Sequence, residues 1–250
     1  MSDSDQVYET SETLSMYLEF HYGPSCLNVD NFPQRCVSYA RKYVANADKG
    51  LALDLGCAVG RSCFELARDF KHVTGVDLSC SFINTCKTLQ KTGTFSWSVQ
   101  EEGLLRSQRS INLENLGLFQ NSAEIDFVQA DVQFLEFLPK NYNLVLACNL
   151  IDRLSSPAKF LQQIQQRLVS GGILFITTPC TWLEEFTPRD KWLGGFHEDG
   201  RFFNTFEAMS RIFESSFQLL APPEPLEFVI RETSRKFQHT FSEMTVWKKR

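Results

Sequence analysis

Leu51 to Ser62 reads LALDLGCAVGRS, a short apolar run that enters Gly56-x-x-x-Gly60 and leaves as a helix candidate over residues 60–70. Glycines at these places let the chain turn tightly and let a ligand approach the backbone. The helix that follows offers unpaired N–H groups at its start. The spacing is not Gly-x-Gly-x-x-Gly, so a dinucleotide is not the first expectation. It also lacks the Gly-Lys-Ser/Thr of a triphosphate-binding loop. Asp54 stands just ahead of the first glycine, where a carboxylate repels a pyrophosphate and attracts an ammonium group.

Working outward from the loop, VTGVDLS puts Asp77 at the end of the next strand, and VQADVQFL puts Asp131 after the one that follows. An acid at the first of these places binds ribose hydroxyls. One at the second can accept from an exocyclic adenine amine. Each aspartate alone could equally cap a helix. Ammonium, ribose and adenine, met in that order, describe S-adenosylmethionine. The cofactor contacts expected here are Asp54, Gly56, Cys57, Gly60 and Arg61, then Asp77 with Leu78, then Asp131 with Val132.

The rest of the chain alternates strand and helix signals. Helical spacing appears over Ser11 to Tyr22 and Phe32 to Val44, ahead of the first strand. Further strands are expected at residues 73–77, 125–129, 143–147, 173–177 and 217–220, with helices at 79–91, 157–169 and 203–214. Residues 92–124 break this rhythm with alternating Phe95, Trp97 and Val99, which suggests an inserted hairpin or flap. Residues 228–232 and 236–247 read as a closing antiparallel pair. The expectation is one α/β domain over residues 1–250. It would hold a mostly parallel seven-stranded sheet, helices on both faces, a C-terminal antiparallel hairpin and a helical lid over residues 1–48.

Bulk composition limits the partners. The chain has 250 residues, 43% hydrophobic and 22% charged, with a formal net charge of −5. An acidic chain whose only basic run is WKKR argues against general nucleic-acid or anionic-membrane binding. The first ten residues, MSDSDQVYET, lack the basic and apolar regions of a signal peptide, and no apolar run approaches the roughly 18 residues of a membrane span. Eight cysteines without a Cys-x-x-Cys pair read as buried free thiols of a cytoplasmic protein, so no metal is expected.

The three acids and LDLGCAVG resemble the class I methyltransferase fold. In such enzymes the segment after the fourth strand, here CNLIDRL, lies beside the methionine part of the cofactor. The resemblance therefore implies a cofactor contact at Asn149 and a site-facing Asp152. A narrower resemblance covers residues 8–249. YLEFHYG, LDLGCAVGRSCFELAR, NLIDRL, TPCTWLEEFTPRDKWLGG and IRETSRKFQ with TVWKK are similar to the methyltransferase domain that closes the ovothiol synthases. That family implies methyl transfer to the π nitrogen of 5-thiohistidine (4-mercaptohistidine), the last step to ovothiol A. It also implies a sulfoxide synthase module, fused or in trans.

A small zwitterionic acceptor needs an arginine for its carboxylate, an acid for its ammonium and aromatic walls for its ring. Arg35, Arg189, Arg231 and Glu184 are the polar candidates, with Arg231 first because FVIRE reads as a strand that holds it rigidly. Tyr17, Phe20, Tyr22, Trp182 and Trp192 are the aromatic ones, and Asp152 completes the expected acceptor set. His21 and Glu185 are the candidate bases. The alternative for CNLIDRL is that Asp152 caps the following turn and Arg153 pairs at the surface. Another small imidazole or amine acceptor, or a cofactor-binding subunit without catalysis, fits the same residues less closely.

Overall fold

The computed structural model describes residues 7–45 and 49–250, so the ends of the expected lid segment lie outside the described residues. β1 (Leu51–Leu55) pairs in parallel with β2 (His72–Asp77) on one side and β6 (Tyr142–Cys148) on the other. β2 pairs in parallel with β5 (Ile125–Gln129), and β6 with β7 (Leu168–Thr178). The chain thus builds outward from β1 in one direction, returns, and builds in the other. A crevice opens where the direction reverses, at the carboxyl ends of β1 and β6.

Beyond β7 the sheet turns antiparallel. β12 (Phe237–Lys249) pairs with β7, and its other edge holds both β10 (Phe217–Leu219) and β11 (Glu224–Arg231). That arrangement gives eight strands where the sequence suggests seven. A thirteen-residue β12 is long enough to seat two short strands one after the other.

Residue alternation assigns the two faces. Leu144 and Leu146 of β6 join one apolar cluster, while Val145 and Ala147 join the other. The first cluster lies under α1 (Ser11–Tyr22), α2 (Phe32–Arg41), α3 (Arg61–Leu66) and α4 (Cys80–Thr92). The second lies under α5 (Pro157–Ile164) and α6 (Thr205–Phe213). α5 stops earlier than its sequence pattern suggests. A 3₁₀ turn at Gln165–Arg167 follows, and β7 begins at Leu168, ahead of the glycine pair. The β6–β7 register shifts there, and Gly171 takes a φ of 79°.

The insertion forms a separate two-stranded hairpin, β3 (Thr94–Glu102) and β4 (Leu105–Asn112), packed on α1 and α4. Trp97 is buried and its Nε1 donates to Glu19 Oε2 at 3.0 Å. The loop after β7 carries a second small hairpin, β8 (Phe196–Glu198) with β9 (Arg201–Phe203), which the sequence pattern does not announce. Four cysteines are buried, but Cys80 and Cys180 are exposed, which corrects the expectation of uniformly buried thiols. Among the described residues no helix is long and apolar enough to cross a membrane.

Candidate active site

The glycine loop is shaped by the strand beside it. Gly56 and Cys57 donate their N–H groups to the Val76 carbonyl at 2.8 and 3.1 Å, which folds the chain back after β1. Gly60 starts α3 with a φ of 84°, and a Cβ there would meet Cys86 Sγ at 2.9 Å and the Phe127 ring at 3.1 Å. Both the backbone angle and the crowding call for glycine. The loop faces a cavity of about 610 Å³ at the carboxyl ends of β1, β2, β5 and β6. That size lies within the range of small-molecule sites.

Three aspartates enter the cavity from consecutive strand ends. Asp54 is 2% exposed, and among the described residues its carboxylate has one hydrogen bond, from Cys63 Sγ at 3.3 Å. Burial and the neighbouring Cys57 push its carboxyl well above the usual range, and the thiol only partly offsets them. A group so poorly served is the natural partner of an ammonium. Asp77 accepts from Ala58 N and Ser79 N, both at 2.9 Å. Burial and Cys57 push it up to about 7, against the pull of those two backbone donors. Asp131 accepts from Gln133 N at 2.9 Å. Leu78, 39% exposed, and buried Val132 put apolar surface beside the second and third acids.

The donor set fits S-adenosylmethionine. Asp54 could meet an ammonium, Asp77 hydroxyls and Asp131 an amine, while Leu78 and Val132 could offer flat apolar contact to a base. Gly56, Cys57 and Asn149 share this wall. Asn149 sits at a φ of 51°, and its Oδ1 accepts from Thr177 Oγ1 at 3.0 Å and Ser242 Oγ at 2.7 Å. Its Nδ2 has no partner among the described residues. Gly60 and Arg61 stay out of the cavity. Arg61 is buried, pairs with Glu65 Oε1 through Nε and Nη2 at 3.1 and 2.8 Å, and donates from Nη1 to the His21 carbonyl at 3.4 Å.

The other half of the cavity is aromatic. Tyr17, Phe20 and His21 of α1 line it with Phe32, Phe228 and Ile230. Phe20, Phe32 and Phe228 touch one another with ring centroids 5.0 to 5.9 Å apart. His21 is 6% exposed, and its Nδ1 is buried with no partner among the described residues. Burial, with Arg61 nearby, holds its pKa down to about 3, so the ring is neutral at physiological pH. Tyr22 turns away and donates to the Val59 carbonyl at 2.8 Å, tying α1 to the glycine loop. Tyr8 closes the far side. Its carbonyl accepts from Ser79 Oγ at 3.1 Å and Ser81 Oγ at 3.3 Å, and Glu9 caps α4 through Cys80 N and Ser81 N.

Several residues expected at the acceptor lie elsewhere. Trp182 is in the core under α6, its Nε1 donating to Thr205 Oγ1 at 3.0 Å. Trp192 donates to the Thr187 carbonyl at 2.8 Å and does not face the cavity. Glu184 and Glu185 are exposed on the loop, outside the cavity, so the structure does not bring Glu185 near a reacting atom. From that loop, Pro179 and Phe186 reach the wall instead. Arg35 donates to the Glu227 carbonyl at 3.1 Å and Arg231 pairs with Glu101 at 2.6 Å, both away from the cavity. Asp152 is fully buried behind Arg153, which does face the cavity. The alternation of Phe228 and Ile230 along β11 was a readable signal for two of the residues the sequence missed. Arg153 and Tyr8 gave none.

Comparison with known proteins follows the same lines. A family described as a methyltransferase domain matches residues 29–216. No curated protein sequence matches the chain. Among solved structures, magnesium protoporphyrin IX methyltransferase from Synechocystis, with bound SAM, is similar over 100% of this chain and 99% of its own, at 12% identity and a TM-score of 0.59. The cyclase SpnF is similar over 98% and 95%, at 15% identity and a TM-score of 0.60. A SAM-dependent methyltransferase from Methanosarcina mazei is similar over 84% and 95%, at 15% identity and a TM-score of 0.54. At such identities the likeness concerns the fold.

Proposed function

Because this chain belongs to the methyltransferase-domain family, we propose that it is an enzyme that moves a methyl group from S-adenosylmethionine to the π nitrogen of 5-thiohistidine. The observation that carries the cofactor half is the convergence of Asp54, Asp77 and Asp131 on one cavity from the ends of β1, β2 and β5. The acceptor half rests on the motif resemblance and is supported by the aromatic lining. On this reading the acceptor comes from a sulfoxide synthase module, fused or in trans.

When bound, S-adenosylmethionine supplies a methyl group on a cationic sulfur. Asp54 would hold its ammonium, Asp77 its ribose hydroxyls and Asp131 its adenine amine. Phe20, Phe32 and Phe228 would grip the acceptor ring and exclude water, leaving a neutral ring nitrogen aligned about 3–3.5 Å from the methyl. A histidine held near pKa 3 is a poor base at neutral pH. His21 therefore serves as a neutral, fixed part of the cavity wall rather than as a base.

The test is turnover of purified protein with S-adenosylmethionine and either 5-thiohistidine or histidine, with nitrogen-resolved NMR of the product. Methylation of thiohistidine at the π nitrogen, with histidine nearly untouched, is expected. Equal turnover of the two would defeat the thiol-specific reading. Turnover of neither, with another small imidazole or amine accepted, would move the assignment to that acceptor.

A further inference from the structure

We propose that Arg153 is the carboxylate receptor of this cavity, gripping the α-carboxylate of an amino-acid ligand; the proposal rests on the small amino-acid chemistry assigned above. Among the described residues Arg153 is the one lysine or arginine on the wall of the cavity that the three aspartates also line. An amino-acid group with its ammonium against Asp54 brings a carboxylate into the same cavity. That carboxylate then needs an opposing charge, since like charges in a partly desolvated site repel strongly.

The posture of Arg153 suits that task. Nη1 donates to the Asp152 carbonyl at 3.0 Å, to Asp152 Oδ2 at 2.9 Å and to the Thr181 carbonyl at 3.0 Å, and Nη2 donates to Thr181 Oγ1 at 3.0 Å. Asp152 Oδ2 also accepts from Thr181 N at 3.1 Å and Thr181 Oγ1 at 2.9 Å. The guanidinium carbon lies 4.9 Å from the centroid of the Phe186 ring. The group is therefore held on two sides by protein and is ordered before any ligand arrives. Its Nε–H has no partner among the described residues, and Nη2 uses only one of its two hydrogens. That remaining edge is the fork that takes a carboxylate in bidentate fashion. The side chain is 28% exposed, so it is reachable yet largely shielded from water.

The same contacts explain the loop after β7. Thr181 is the hinge by which that loop, together with buried Asp152, sets the arginine in place. A purely structural staple would also make these bonds, so the test must read ligand charge rather than folding alone.

Two pairs of ligands that differ only by a carboxylate separate the sources of that group. They are 5-thiohistidine against its decarboxylated amine, and S-adenosylmethionine against decarboxylated S-adenosylmethionine. Affinities are measured by calorimetry for the native protein, Arg153→Gln and Arg153→Lys. Native protein should prefer the carboxylate form of one pair by roughly 10- to 100-fold. Arg153→Gln should abolish that preference, and Arg153→Lys should restore part of it. The first pair responding identifies the acceptor carboxylate, and the second the methionyl carboxylate of the cofactor. If Arg153→Gln keeps the native preference in both pairs, or native protein has none, the proposal is overturned. Should native protein fail to bind or methylate thiohistidine, the acceptor reading fails by itself. The cofactor pair then decides the role of Arg153.

Discussion

The Arg231 guanidinium holds the Glu101 carboxylate at 2.6 Å and also donates to the Gln100 carbonyl at 3.0 Å, so the end of β11 is pinned to the tip of the β3–β4 hairpin. The Arg231 side chain is 8% exposed, and Ser234 donates to the Glu101 carbonyl at 2.9 Å beside it. These contacts make a clamp between two segments far apart in sequence, on the outside of the aromatic wall.

Replacing Arg231 with alanine should therefore loosen the hairpin. Thermal unfolding should shift downward, and amide exchange in β3 and β4 should speed up, with the KM for acceptor nearly unchanged. A large rise in that KM with no change in unfolding temperature would return Arg231 to the ligand.

Asp77 should make cofactor binding depend on pH. Its carboxyl stands near 7 in the folded protein against an ordinary 3.8. The folded state thus holds a proton that the unfolded chain releases, and the stabilisation this gives is full below about pH 4 and lost as pH rises through 7. Ligand hydroxyls prefer the ionised form, so S-adenosylmethionine should bind roughly 10-fold tighter at pH 8 than at pH 6. In Asp77→Asn that slope should vanish, affinity at pH 8 should fall by about 10- to 100-fold, and the ligand-free protein should lose less stability between pH 5 and pH 8. Calorimetry and thermal melts across this range check all three.

His21 has the opposite sign. Its folded pKa is depressed to about 3 from 6.5. The stability linked to its neutral form is complete above 6.5 and is lost as pH falls toward 3. His21→Gln should resist acid better than native protein, relative to their difference at pH 8. It should also lower acceptor turnover while leaving cofactor affinity near the native value. A pH–rate profile that loses a limb near pH 6.5 in this variant would show instead that His21 titrates during catalysis.

Gly194 packs against the start of α6, where a Cβ would lie 2.3 Å from both the carbonyl carbon of Asn204 and the nitrogen of Thr205. Backbone cannot give way there as a side-chain tip can. Gly194→Ala should cost roughly 1–3 kcal/mol in urea unfolding. Gly103→Ala, at a tip with nothing within 4 Å, should cost less despite its φ of 55°. Equal costs would mean that steric crowding does not govern Gly194.

The parts of the fold with a strong local period were legible. β1, the glycine loop and the acids at 54, 77 and 131 follow from short-range pattern, because strand ends and helix starts have their own chemistry. The hairpin at 94–112 showed itself by alternation. The acceptor side was less legible for a physical reason. Trp182 and Trp192 carry the apolar bulk of a pocket wall, yet their indole N–H groups found partners in Thr205 and Thr187 and sank into protein. Local sequence cannot tell which partner an indole will meet. Arg231 and Arg153 were confused likewise. Each is an arginine near an acid, and only the long-range placement of Glu101 and Thr181 separates them.

The length of β12 bears on how the pocket comes into being. Its residues 243–248 zip onto β7, and its earlier residues hold β11, which carries Phe228 and Ile230. A nascent sheet can join β1, β2, β5, β6 and β7 in order and display all three aspartates before this distant pairing closes its long loop. The aromatic wall is then the last piece to arrive. A half-assembled chain can meet cofactor without being able to grip acceptor, and pulsed amide exchange should show protection at Leu51–Leu55 before Leu226–Ile230.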